Sequence, residues 1–404
     1  MAVSLRSRGT FRANPGYELV LADHLTRAER HSHQLSDDLY GILRPIQGSG
    51  LAARSCPPDT ALLFLTLVEP GPLPAFARCS QGEDGDRFLA RLVVDGVLEI
   101  LTDKGFLSGP AAAGFVLPGR ARCDPSTGGQ GRIADLTVAA LRYGQALAGV
   151  SAEVLASRLY LYGRRPVSPR LRSRMPNEAA VDEHLGINPG GAAVRALADG
   201  WREVPGPLGL LSPWRYWTPR SAVRRQSGPG HAPAGFKLYV SPAEQAMPAA
   251  VVAVAGTLAA SPGVTGFKVA RDLAGVCRPD KLVVYFDRLD DLRAGATQIT
   301  QELAGAAAHG VPFTAAVTLD GLLSWAADPP PGLAARSSWR MWVAERLADY
   351  LIQASGRGGN AETGNGGEEM EPWQFALQRL RLAGVDTDTW VPASGIWRAA
   401  LEMS

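Results

Sequence analysis

The chain has 404 residues, 41 basic against 39 acidic, a net charge of +2 and 46% apolar residues. That length sets a prior of two or three domains with ample core, and that composition is ordinary for a water-soluble globular protein. It argues against a disordered chain, and the mild basicity argues against a dedicated nucleic-acid binder.

Cys56, Cys79, Cys123 and Cys277 are scattered with no C-x-x-C pair, so neither a disulfide framework nor a zinc site is expected. The N-terminal stretch lacks a signal-peptide core. The apolar run near 246–260 is too short to span a bilayer. The expected location is the cytoplasm.

Residues 1–130 form a mixed α/β region. Leu19, Leu21 and Leu25 recur between charges and predict a helix over 18–43. The His31-x-His33 pair on it would face two directions, so no metal site is expected. ALLFLTLV (61–68) reads as a buried strand. FLARLVVDGVLEILTDKGFLSGP reads as a helix or strand entering a hairpin, with Lys104 in its turn.

Residues 131–230 read as helical and arginine-rich. Between 158 and 225 stand twelve Arg and five acidic residues, a local charge of 12 − 5 = +7. Arg164, Arg165 and Arg215, the last within PWRYWTPR, are candidates to hold a phosphate or an anionic peptide. An arginine-rich surface without a ligand is the plain alternative. The Gly/Pro-rich stretch QSGPGHAPAG then acts as a linker.

Residues 236–355 carry the clearest architecture. FKLYVSP, an apolar helix, FKVA, KLVVYFD, a second helix and PFTAAVTL read as strand–helix–strand twice over. This is the ferredoxin-like split βαβ order, placed over 236–320. The following GLLSWAADPPPG reads as a loop and SSWRMWVAERLADYLIQAS as a helix with a Ser cap. Residues 356–370 are expected to be a flexible linker and 371–404 two C-terminal helices. The fold class is therefore α+β.

Alternation sends Phe236, Leu238 and Val240 to one face and Lys237 and Tyr239 to the other. By the same rule Lys268, and Lys281 with Tyr285, join that second face. Only four of the 41 basic residues are Lys (104, 237, 268 and 281), which leaves 37 Arg. Three of those four fall in this block, where they mark positions that arginine would not serve. Lysine can lose its proton when desolvated or crowded by another cation, as a base must. Arg271 and Arg278 flank the lysines. Together these residues suit β-elimination: arginine holds a phosphate, a neutral lysine takes a Cα proton, and Tyr239 or Tyr285 supports the enolate or protonates the leaving group. A solvated sheet face is the bland alternative.

The order KLYVSP, helix, FKV, RPDKLVVYFD, helix, PFTAAV, and then a Ser- and Arg-bearing helix resembles the HopA-type effector family over 236–350. RPDKLVVYF carries most of that resemblance. Relatives of the family accompany kinases in bacterial clusters for ribosomally made peptides, lanthipeptides and thioamitides among them. The resemblance implies a cytoplasmic bacterial lyase that eliminates phosphate from phosphorylated Ser or Thr of a precursor peptide. The product is a dehydroamino acid, no metal or cofactor is called for, and kinase and cyclase proteins are the implied partners. The first 230 residues and the tryptophan-bearing insert are not explained by it. Two alternatives stand beside the lyase. One is a non-catalytic peptide-binding or cyclisation component of the same complex. The other is a single-stranded nucleic-acid module stacking bases on Tyr239 and Tyr285, although no RNP pattern is present.

Overall fold

The structure is a computed structural model that describes residues 9–32, 39–74, 83–116, 130–147, 149–205, 212–220, 235–329, 338–355 and 370–392. The linker at 356–369, His33, Arg224, Arg225 and the last expected helix at 396–403 lie outside them. The chain divides into two compact units, Met1–Cys123 with Gln353–Ala383 and Asp124–Ile352 with Gly384–Ser404. Helices and antiparallel sheets occur together, as an α+β chain requires. No helix among the described residues is long and apolar enough to cross a membrane.

The first unit corrects two sequence expectations. Residues 18–43 do not form one helix: Tyr17–Leu21 and Gly41–Pro45 are antiparallel strands in register Leu19↔Leu43. Val20 and Ile42 are buried there with Leu25, and it is the pairing of the two strands, not the spacing of the leucines, that decides their structure. Conversely, ALLFLTLV belongs to the helix Pro58–Thr66 rather than to a strand. Pro58 occupies its first turn, and Thr60, Ala61, Leu63 and Phe64 are buried while Leu62 and Leu65 are exposed. The DKG hairpin forms as expected between Leu98–Thr102 and Gly105–Leu107, with Gly105 at φ +95°. Glu83–Val94 is the preceding helix. Pro372–Leu382 is a helix opened by a reciprocal Glu371–Gln374 capping box.

The second unit is built on a seven-stranded antiparallel sheet. Its strands in chain order are β1 (Trp201–Val204), β2 (Trp214–Pro219), β3 (Phe236–Val240), β4 (Val264–Ala270), β5 (Leu282–Phe286), β6 (Ala315–Ala316) and β7 (Leu323–Ala327). Across the sheet the order is β6-β7-β3-β5-β4-β2-β1. Three of the expected strands form, with β3 and β5 side by side. The fourth is displaced. PFTAAVTL yields only the two-residue β6, and β7 forms inside the segment read as a loop, where it pairs with β3 along its full length. The range 236–320 therefore lacks its last main strand. Two further strands come from the arginine-rich region that the sequence predicts to be helical.

Among the described residues this unit holds nine α-helices; besides the short Pro169–Arg174 and Leu273–Val276 they are α1 (Arg132–Ala146), α2 (Ala152–Tyr160), α3 (Glu178–Leu185), α4 (Val194–Gly200), α5 (Met247–Thr257), α6 (Leu289–Glu302) and α7 (Trp339–Ser355). α5 is hydrophobic nearly all round, and it packs on α4 and α6. Gly295 lets α6 approach the sheet, since a Cβ there would stand 3.1 Å from the Phe286 ring. The face bearing Phe236, Leu238, Val240, Phe267, Val284 and Phe286 is buried. The opposite face carries the polar groups.

Candidate functional site

That opposite face is set by register. Lys237 lies across from Tyr285 and Ala326, Tyr239 from Val283 and Ser324, and Lys268 from Val283 and Tyr216. Ala270 pairs with Trp214, so the insert adds Trp214 and Tyr216 to the lysine side. The same strand sends Arg215 and Trp217 to the other side.

Asp280 anchors one end of the face. It is 4% exposed and accepts hydrogen bonds from Arg278 Nε (2.8 Å) and Nη2 (2.9 Å), from Arg340 Nη1 (2.9 Å) and from the Tyr160 hydroxyl (3.2 Å). Burial alone would raise this carboxyl. Arg340 and Arg278 outweigh burial and hold it well below the usual carboxylate range. Arg340, 1% exposed, is taken up further by the carbonyls of Tyr160 (2.7 Å) and Pro312 (3.3 Å). Arg278 is the partly exposed member and lies over the rings of Tyr160 (5.4 Å) and Trp214 (5.2 Å).

Lys268 stands next to this node with its ammonium 4.1 Å from the Trp214 ring centroid. Among the described residues it has no hydrogen-bond or ion-pair partner. Burial pushes its pKa down to about 8; Lys237 and Arg278 add to the depression, while Asp280 and Asp328 oppose it. Lys237 differs by having a carboxylate: it forms an ion pair with Asp328 and lies 5.7 Å from the Tyr285 ring. Asp328 also accepts the N–H of Trp339 at the start of α7 (3.0 Å). Burial raises the Tyr285 and Tyr239 phenols, which keeps both protonated. Tyr239 is only 3% exposed and offers no ring for base stacking.

Lys281 does not join the other two lysines. It immediately precedes β5, and its Nζ donates to Pro242 O and His309 Nδ1, both at 2.7 Å. His309 Nε2 lies 2.6 Å from Gly163 O, so the imidazole carries its proton on Nε2 and accepts from Lys281 on Nδ1. Lys281 is 1% exposed, and burial, with Arg165 adding, pushes it down to about 7. The alternation that placed it on the shared face holds inside the ladder; at the strand's entrance the side chain turns toward the end of β3.

The predicted anion-binding arginines are mostly compensated. Arg165 pairs with Glu244, Arg215 with Asp182 and Glu203, and Arg271 with Glu178. Arg164 is exposed and forms no ion pair among the described residues. Arg215 lines a separate cleft of about 510 Å³ on the other side of the sheet. Sequence reasoning missed Tyr160, Asp280, His309, Asp328 and Arg340. Only Asp280 carried a local signal, as the acid inside RPDK. Among the described residues no group of three or more His, Cys, Asp or Glu gathers as a metal site would need.

No protein-family model matches this chain, and no curated protein matches it. Among solved structures it is similar to an effector protein from Pseudomonas syringae pv. tomato strain DC3000, at 13% identity and a TM-score of 0.41, over 64% of this chain and 97% of the other. The effector protein from Pseudomonas syringae pv. syringae strain 61 gives 14% identity and a TM-score of 0.41, over 65% and 99%. The type III effector and phosphothreonine lyase OspF from Shigella flexneri gives 14% identity and a TM-score of 0.26, over 33% and 74%. At these scores the likeness fixes neither family nor activity.

Proposed function

We propose that the lysine face is the catalytic face of a lyase that eliminates phosphate from phosphorylated Ser or Thr side chains of a peptide. One observation carries the reading: Lys268 is a half-buried amine without a carboxylate partner among the described residues, and it shares the Trp214 ring with Arg278. In this reading neutral Lys268 takes the Cα proton. The Cα–H electrons form the Cα=Cβ bond, the Cβ–O bond breaks, and the phosphate leaves with that pair beside Arg278. Lys237 and the Tyr285 hydroxyl donate to the developing enolate oxygen. The product is a dehydroamino acid. The four strands β7-β3-β5-β4 with α5 and α6 serve as the ferredoxin-like split βαβ frame, a reading supported by their order and two helical crossovers.

The substrate in this proposal is a precursor peptide phosphorylated by a partner kinase and passed on to a cyclase, inside the cytoplasm of a bacterium. A kinase-like gene and a short peptide gene next to this one would support it. The direct test is mass spectrometry of a phosphothreonine peptide incubated with the protein, scored for loss of the elements of phosphoric acid. An intact phosphopeptide at saturating protein sinks the lyase reading. A second reading, a non-catalytic peptide-binding component, is favoured by one observation. Arg340 is buried against Asp280 and the carbonyls of Tyr160 and Pro312, so among the described residues of the Asp280 node the arginine exposed to a phosphate is Arg278, already bound to Asp280. Tight binding without elimination would select it.

A further inference from the structure

The cleft behind the lysine face has no role in the elimination just described. Its floor is aromatic: Trp217 stacks on Phe267 (centroids 4.9 Å apart), and Trp201 meets the same ring edge-on at 4.6 Å. Trp201 is fixed by its Nε1–H to Ala255 O (2.9 Å). Ile187, Pro189, Val194 and Leu197 add to its apolar lining. Asp182, Glu203 and Arg215 close the polar side, three charges that sum to −1, with Arg215 fixed between the two carboxylates. A volume of about 510 Å³ falls in the range of sites that hold a ligand by apolar contact with a few polar groups.

The position of the cleft matters as much as its lining. It adjoins β1, the last strand of the sheet, whose Arg202 and Glu203 are exposed and whose outer side pairs with no described strand. An edge strand with a side-chain pocket next to it is the arrangement by which extended peptides add to sheets: main-chain bonds give affinity and the pocket reads alternate side chains. β2 belongs to both places, with Trp214 and Tyr216 facing Lys268 and Arg215 and Trp217 facing the cleft.

We infer that the cleft is a recognition subsite for an extended stretch of the peptide substrate, taking one bulky apolar side chain at a distance from the phosphorylated residue. The inference rests on the elimination reading for what the peptide is. Geometry sets the distance. A strand added outside β1 lies three ladder steps from β4, roughly 14 Å at ~4.8 Å per step in the plane of the sheet, and the chain must also rise to the lysine face, so at ~3.3 Å per residue it needs about five residues or more.

The test uses synthetic Gly/Ser-rich peptides with one phosphothreonine and one leucine, at spacings from about two to about ten residues, the closest being too short for the path. The full-length protein is compared with Ala198→Trp, which places an indole from an exposed position of α4 into the cleft, and with Ala198→Ser as control. Leucine at about five residues or more should lower KM roughly tenfold with kcat unchanged, and Ala198→Trp should abolish that gain while Ala198→Ser keeps it. A KM that ignores the leucine position, or an Ala198→Trp variant matching wild type, overturns the subsite. A leucine-free phosphopeptide left intact overturns the lyase reading instead. In that case the unphosphorylated leucine peptides, followed by fluorescence anisotropy, still decide the cleft: binding lost in Ala198→Trp sustains it, and equal or absent binding removes it.

Discussion

Lys281 donates a 2.7 Å hydrogen bond to His309 Nδ1, with both side chains buried. Through Pro242 O and Gly163 O the pair ties together the end of β3, the approach to β5 and the loop after α2. A lysine that the sequence offered as a catalytic candidate is thereby a fastening between loops. Its chemistry is still unusual, because burial depresses both groups, Lys281 to about 7 and His309 to about 4.

A stability prediction follows from that pair. In the unfolded chain both groups hold their protons to higher pH, so the unfolded state binds more protons from about 4 up to the ordinary lysine range. Stability should therefore rise with pH, first as His309 loses its proton in the unfolded chain and again above about 7 for Lys281. Lys281→Met should flatten the alkaline part. It should also cost roughly 1–3 kcal/mol near neutrality, since Pro242 O and His309 Nδ1 lose their donor. Urea unfolding at several pH values measures both effects.

Lys268→Arg keeps the cation but not the ability to release a proton. Turnover of a phosphopeptide should fall roughly 10²–10⁴-fold, with peptide affinity retained. In wild type, kcat/KM should rise with pH toward a plateau above about 8, the value to which burial brings this lysine. Full activity in Lys268→Arg would remove it as the base.

Asp328 raises the Lys268 pKa from across the face while pairing with Lys237. Replacing it with Asn removes charge but leaves an oxygen for the Trp339 N–H. The acid limb of kcat/KM should then move to lower pH, and Asp328→Glu should leave it near the wild-type position. An unmoved limb in Asp328→Asn, with normal folding, would show that the two lysines are not coupled through this carboxylate.

Asp280→Asn leaves Arg340 buried without its counter-charge. Removing one partner of a buried pair costs roughly 3–5 kcal/mol, so this variant should be among the least stable single changes in the second unit. Pairing it with Arg340→Met should recover part of the loss, because no orphaned charge remains. Thermal unfolding of the single and double variants checks the cycle.

The sequence alone determined the alternating elements of the second unit. Period-two runs such as FKLYV and LVVYF, separated by an apolar helix, put β3, β4 and β5 where local spacing said they would be. Alternation within each strand turns Lys237, Lys268 and Tyr285 away from their apolar neighbours without tertiary information, and the pairing register brings the three onto one face. Long-range pairing decided the rest. β7 became a strand only because β3 offered it an edge, and Trp214–Pro219 joined the sheet only because β4 did. Short apolar runs in the first unit satisfied both helical and strand spacing until burial chose between them. The compensation of Arg165, Arg215 and Arg271 by distant carboxylates, and the removal of Lys281 to His309, depend on residues far apart in the chain. Local pattern sets which way a side chain points from its strand. Which charge it meets there is set by how the strands and helices pack.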